Sequence, residues 1–205
     1  LREGKRWYVF DAPGGAGLIE FLEQRLQKLE QSLDGVAGVL VTSVSIEATA
    51  GLGGMVEKFK CPVVVHRDGL QSLRERLPRE TRFVMAATID EKSEFPVVAT
   101  SLSGRGSAKV VFGMRRADRS ILVSGRLLGK VDNRRLVQEL LGDLAAEDGD
   151  TSAYRKTLDL FESMAPDVWL PARPVNGQNA NLYDQQWQSI IERNRTSLRK
   201  NAGPG

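Results

Sequence analysis

The sequence predicts a mixed α and β fold in which sheets are covered by helices on their outer faces, an α/β or α+β sandwich. Three observations carry this. Apolar strand-like runs alternate with amphipathic helical patterns in the first third of the chain. Four strand-like runs then follow one another with only short turns, and helical periodicity returns near the end.

Taken in order, Trp7-Tyr8-Val9-Phe10 is aromatic and β-branched and reads as a buried strand, halted by Asp11, Pro13, Gly14 and Gly15. Leu18, Ile19, Leu22, Leu26, Leu29 and Leu33 recur at spacings of three and four, which predicts an amphipathic helix lying on a sheet. A strand is expected over Val36 to Thr42, a small-residue loop from Ser43 to Gly54, a strand from Pro62 to His66 and a short helix from Asp68 to Leu77. Arg82 to Ala86, Phe95 to Leu102, Ala108 to Met114 and Ser120 to Ser124 read as a four-stranded meander. Then come a helix capped by Asp132 (Asn133 to Ala146), a helix over Thr151 to Met164, a strand Asp167 to Leu170, and a last helix from Asp184 with Trp187, Ile190, Ile191, Asn194 and Leu198 on one face. The expectation is one domain over residues 1–200 and a flexible tail over 201–205. The chain opens at Leu1, at the edge of an apparent strand, which suggests an N-terminally incomplete domain.

The composition bounds the chemistry. At 205 residues, 41% hydrophobic and 27% charged, the chain is neither fibrous nor disordered. No apolar run approaches the roughly 20 residues needed to span a bilayer, so no membrane partner is expected, and the cytoplasm is the compartment favoured. A net charge of +3 names no partner. One histidine, His66, and one cysteine, Cys61, leave almost none of the usual ligands for zinc, copper or non-haem iron.

Few segments carry chemistry of their own. The junction Asp11-Ala12-Pro13-Gly14-Gly15-Ala16-Gly17 has glycines ahead of a helix, but the dinucleotide spacing fails because the third place is Glu20. A tight turn is the reading kept. His66 is read as a hydrogen-bonded structural residue, and Cys61 as a small buried hydrophobe, with a reactive thiol as the alternative. Arg115, Arg116, Arg119, Arg126, Lys130, Arg134 and Arg135 share a stretch whose only acids are Asp118 and Asp132. A nucleic-acid contact there is an alternative, weakened by the absence of aromatic residues to stack bases. The uncharged polar segment from Val175 to Tyr183 reads as a long turn whose Asn side chains satisfy backbone groups, the other reading being ligand contact.

Thr42-Ser43-Val44-Ser45-Ile46-Glu47-Ala48-Thr49-Ala50-Gly51 follows a buried strand and resembles the metallo-β-lactamase superfamily of hydrolases. In that family a strand ending in Thr leads into His-x-His-x-Asp-His, then Thr and a Gly-rich helix start, and the histidines and aspartate hold one or two zinc ions. Here the frame is kept while the ligand places hold Ser43, Ser45, Glu47 and Ala48. The turn Leu102 to Ser107 is similar to the family's Gly-His-x-Pro-Gly turn, with Arg105 at the histidine. Ile121 to Arg126 is similar to the strand ending Ser-Gly-Asp, with Arg126 at the aspartate. Asp167 to Pro174 resembles the last strand and its terminal histidine, with Arg173 in its place.

The resemblance implies an αββα sandwich lacking its first strands and a degenerate metal site. Arginine offers only donors and stays charged, so no metal and no cofactor are expected. The implied function is a catalytically inactive binding or structural module, its partner an anionic small molecule or a protein. Arg105, Arg126 and Arg173, with Ser43 and Ser45, either form an anion pocket or are drift after metal loss. The alternatives are a hydrolase with non-standard metal ligands and a nucleic-acid-binding protein.

Overall fold

The computed structural model describes residues 1–102, 109–125, 130–132, 135–137, 141, 145, 151–171, 180–181 and 184–200. The chain divides into two compact units, Leu1–Ala99 with Ser107–Val110, and Thr100–Gly106 with Val111–Gly205.

The first unit is built on a five-stranded sheet: β1 (Arg2–Glu3), β2 (Arg6–Phe10), β3 (Val36–Leu40), β4 (Val63–Val65) and β5 (Phe83–Met85), in that spatial order. β1 and β2 form an antiparallel hairpin, and β2 to β5 are parallel. Parallel neighbours need crossover connections, and helices supply them: α1 (Leu18–Gln27), then α2 (Ile46–Thr49) and α3 (Leu52–Phe59), then α4 (Leu70–Arg74). Val39, Val41, Val63 and Val65 meet Leu18, Leu52, Met55, Val56 and Leu73 in one apolar cluster. Leu40 and Val64, one residue out of phase, are also fully buried. Burial of successive residues explains why these strands read as continuous apolar runs rather than alternating ones.

Three expectations change here. α1 ends at Gln27 rather than reaching Leu33, because Glu30 adopts a left-handed φ of 55° that no helix continues. The stretch expected as a loop from Ser43 to Gly54 holds α2 and the start of α3. Leu52, Met55 and Val56 bury against the sheet, and that contact outweighs the poor helix propensity of Gly53 and Gly54. The four-stranded meander is wrong in its first member: Phe83–Met85 pairs in parallel with Val63–Val65 and belongs to this sheet.

Another five-stranded sheet has the spatial order β12, β11, β8, β7, β6: β6 (Val98–Leu102), β7 (Lys109–Arg116), β8 (Arg119–Gly125), β11 (Val168–Pro171) and β12 (Ala180–Asn181). β7 and β8 are an antiparallel hairpin, while β8 and β11 run parallel. α5 (Thr151–Met164) and α6 (Asp184–Lys200) contribute Tyr154, Leu158, Phe161, Trp187, Ile191 and Leu198 to a core shared with Val111, Leu122 and Trp169. Trp187 meets both Phe161 and Trp169 edge-on, with ring centroids 6.3 and 6.4 Å apart. Both buried indoles are satisfied: Trp187 Nε1 donates to the Phe161 carbonyl at 3.0 Å and Trp169 Nε1 to Ser124 Oγ at 2.7 Å.

The helix expected from Asn133 to Ala146 is corrected at its start. Residues 130–132 (β9) and 135–137 (β10) form a two-stranded ladder with Asp132 opposite Arg135. Asp132 and Asn133 are good turn residues as well as good caps, and the short apolar runs on either side favour pairing. Of the rest of that expected helix only residues 141 and 145 are described, and both are helical. Ala180 and Asn181, expected in a long turn, pair antiparallel with Trp169 and Val168; the other residues of that Asn-rich segment lie outside the described residues.

Candidate functional site

In an open parallel sheet, ligands bind beyond the carboxyl ends of the strands, where the connecting loops gather. In the first unit β2, β3 and β4 end level with one another, since Phe10 pairs Leu40 and Leu40 pairs Val64. The chain leaves these strands at Asp11, at Thr42 to Ser45 and at His66.

Asp11 is buried at 7% exposure and has a left-handed φ of 56°. Its carboxylate accepts the Thr42 N–H through Oδ1 at 2.7 Å and the Thr42 hydroxyl through Oδ2 at 2.7 Å. Burial pushes its pKa up to about 6, against the lowering pull of both Thr42 bonds. After it, Ala12 donates to the Ala48 carbonyl and accepts from Gly51 N–H, both at 2.7 Å, so the turn after β2 is fastened to the segment after β3. Gly51 is required there. A Cβ on it would stand 2.9 Å from the Gly15 carbonyl and 2.9 Å from Leu18 Cδ2.

Ser43 Oγ donates to Ser45 Oγ at 3.1 Å and accepts the Ser45 N–H at 3.2 Å, a local turn that turns both hydroxyls toward each other. Thr49 Oγ1 donates to the Ser45 carbonyl at 2.8 Å. Arg76 then clamps the whole turn, donating to the Val44 carbonyl at 2.9 Å and to Thr49 Oγ1 at 3.1 Å. Ser43 and Ala48 are buried, Ser45 is half-buried, and Ile46 and Glu47 are exposed.

Of the seven positions matched to metal ligands, Ser43, Ser45, Glu47 and Ala48 are thus brought onto one short, braced segment. Arg105, Arg126 and Arg173 lie outside the described residues. The four described positions supply two hydroxyls already bonded to each other, one carboxylate and one methyl, a set that does not fit a zinc ion. Among the described residues, no three His, Cys, Asp or Glu side chains converge as a metal site.

The remaining single residues fall as read from the sequence. His66 Nδ1 accepts the Asp68 N–H at 3.2 Å and caps the 3₁₀ turn that leads into α4. Cys61 is buried in the apolar cluster, which raises its pKa by desolvation and keeps it a neutral thiol. In the glycine junction, Gly14 and Gly15 have φ of +87° and +63° ahead of a 3₁₀ turn and α1, as a tight turn demands. The basic stretch is split. Arg115, Arg116 and Arg119 lie at the β7–β8 hairpin tip, and Lys130 and Arg135 on the short strands β9 and β10, while Arg126 and Arg134 lie outside the described residues. Sequence reasoning missed Asp11 as a buried acid and Arg76 as a clamp. Asp11 carried a faint signal, a carboxylate closing an apolar strand, while nothing near Arg76 distinguished it from its neighbours.

No protein-family model matches the chain, and no curated protein does. Solved structures do match. The metallo-β-lactamase MIM-1 from Novosphingobium pentaromativorans aligns at TM-score 0.70 with 10% identity, over 98% of this chain and 81% of that one. The metallo-β-lactamase SMB-1, in a complex with mercaptoacetic acid, aligns at TM-score 0.69 with 13% identity, over 98% and 87%. BJP-1, a subclass B3 metallo-β-lactamase of Bradyrhizobium japonicum, aligns at TM-score 0.66 with 14% identity, over 98% and 84%. Identities this low speak for backbone architecture rather than chemistry, and the architecture agrees over nearly all of the chain: this protein has the metallo-β-lactamase fold.

Proposed function

We propose that residues 1–200 are a degenerate metallo-β-lactamase-like domain, without metal-dependent catalysis, that acts as a binding or structural module for an anionic small molecule. The observation that carries this reading is the donor set at the positions matched to metal ligands. Four of them hold Ser43, Ser45, Glu47 and Ala48, and the others hold Arg105, Arg126 and Arg173. Zinc needs lone pairs from imidazole, thiolate or carboxylate, and a guanidinium has none to give. Exchanging metal cations for guanidinium cations keeps the sign of the charge and changes the ligand. Guanidinium groups bind carboxylate and phosphate in bidentate fashion, so an oxyanion is the class of ligand that suits them. In this reading the three arginines supply charge, and Ser45, whose hydroxyl receives the Ser43 proton, has its own proton to donate.

The test is elemental analysis for zinc, iron and manganese on protein expressed with added metal and purified without chelator, with thermal-shift titrations of zinc and of inorganic phosphate. The expected result is metal near zero, no response to zinc, and a phosphate-dependent rise in Tm that Arg126→Ala removes. Stoichiometric metal would overturn the reading and put a hydrolase with non-standard ligands first.

A further inference from the structure

The first unit holds a cleft between the β1–β2 hairpin and the segment that follows β5. Its volume is about 570 Å³, within the roughly 300–1,000 Å³ of small-molecule sites. Tyr8 and Phe95, edge-on at 5.9 Å, line it together with Ser93 and Pro96. The Tyr8 hydroxyl donates to the Glu94 carbonyl at 3.2 Å and retains acceptor capacity.

The charges on its two sides differ. The hairpin contributes Lys5 and Arg6, along with Glu3; the opposite segment contributes Glu91 and Glu94. Glu94 pairs with Arg82 at 3.4 Å. The side chains of Lys5, Arg6 and Glu91 have no ion-pair or hydrogen-bond partner among the described residues, so the cations of one wall do not reach the acid of the other. A simple anion or cation in that gap is drawn to one wall and repelled by the other. A molecule carrying both charges satisfies both walls at once.

We propose that this cleft is a binding site for a small zwitterion, a free amino acid or short peptide, with its carboxylate toward Lys5 and Arg6 and its ammonium toward Glu91. The site is independent of the anion reading above. It is tested by ¹H–¹⁵N NMR titration of the full chain with L-phenylalanine and with glycylglycine, using acetate and methylammonium as single-charge controls. The expected result is saturable shifts confined to residues 3–8 and 91–96, with a Kd on the order of 1 mM for one or both zwitterions and at least tenfold weaker binding of both controls. The tighter zwitterion tells free amino acid from peptide. Arg6→Glu and Glu91→Lys are each expected to weaken binding about tenfold, and the double variant Arg6→Glu/Glu91→Arg to restore it with the ligand reversed. Absence of saturable shifts, equal binding of acetate, or indifference to Glu91→Lys overturns the proposal. All of these side chains are exposed, so the variants are expected to fold.

Discussion

Asp11 and Thr42 join the carboxyl ends of two adjacent parallel strands, with both carboxylate oxygens of Asp11 held at 2.7 Å by the backbone N–H and the hydroxyl of Thr42. The pair fixes where the chain turns after β2 and after β3. Because the carboxylate is buried, its charged form is costly, and the two bonds offset only part of that cost.

The sign of the pH dependence follows. The pKa of Asp11 is raised to about 6 in the fold from 3.8, so between those values the folded state binds more protons than the unfolded one. Stability is therefore expected to fall as pH rises from about 4 to about 6 and to level above, with a contribution of up to about 3 kcal/mol from this group. Asp11→Asn tolerates the left-handed backbone and stays neutral, so it should flatten that slope. Urea unfolding across the pH range, compared between the two proteins, checks it.

Two glycines of neighbouring position should respond with opposite sign. Gly51→Ala drives a methyl against the Gly15 carbonyl and Leu18, both contacts at 2.9 Å, and is expected to cost about 1–3 kcal/mol. Gly53→Ala, in α3 with nothing within 4 Å of the new methyl, should gain about 0.5 kcal/mol from helix propensity. Denaturant midpoints at constant slope measure both.

In the second unit, Ser124→Ala removes the acceptor of the buried Trp169 indole N–H, a bond of 2.7 Å. An orphaned buried donor costs about 1–3 kcal/mol, and Ser124→Thr, which keeps the hydroxyl, should lose less. Thermal unfolding followed by tryptophan fluorescence reports the difference.

Restoring the metal ligands tests whether positions were matched correctly. The variant carrying Ser43→His, Ser45→His, Glu47→Asp, Ala48→His, Arg105→His, Arg126→Asp and Arg173→His together is expected to take up zinc and gain Tm with it. The buried Ala48 makes its histidine the costly member, about 1–3 kcal/mol of overpacking before metal binds. A variant with native-like circular dichroism that leaves zinc in solution would show that these seven positions are not the equivalents of metal ligands.

What the sequence determined by itself is the inventory: strands at Trp7–Phe10 and Val63–Val65, the helix Thr151–Met164, the helix beginning at Asp184, and a Thr-x-Val-x-Ile frame without histidines. Those elements were legible because burial imposes a period on apolar residues that survives in the linear order. Pairing was not legible. Phe83–Met85 carries the same β-branched and aromatic signal wherever it pairs, and only docking beside Val63–Val65 puts it in the parallel sheet rather than the meander. Arg135–Val137 is equally silent, since Asp132 and Asn133 suit a cap and a turn alike and the ladder with residues 130–132 decides between them. The same holds at the strand ends. The resemblance to a family's ligand motif singled out Ser43, Ser45, Glu47 and Ala48, but the acid against Thr42 lies 31 residues before it and the arginine that braces Thr49 lies 27 residues after it. Contacts of that separation are set by long-range packing and leave no local pattern, so the tertiary structure alone decided which charged side chains fasten this segment.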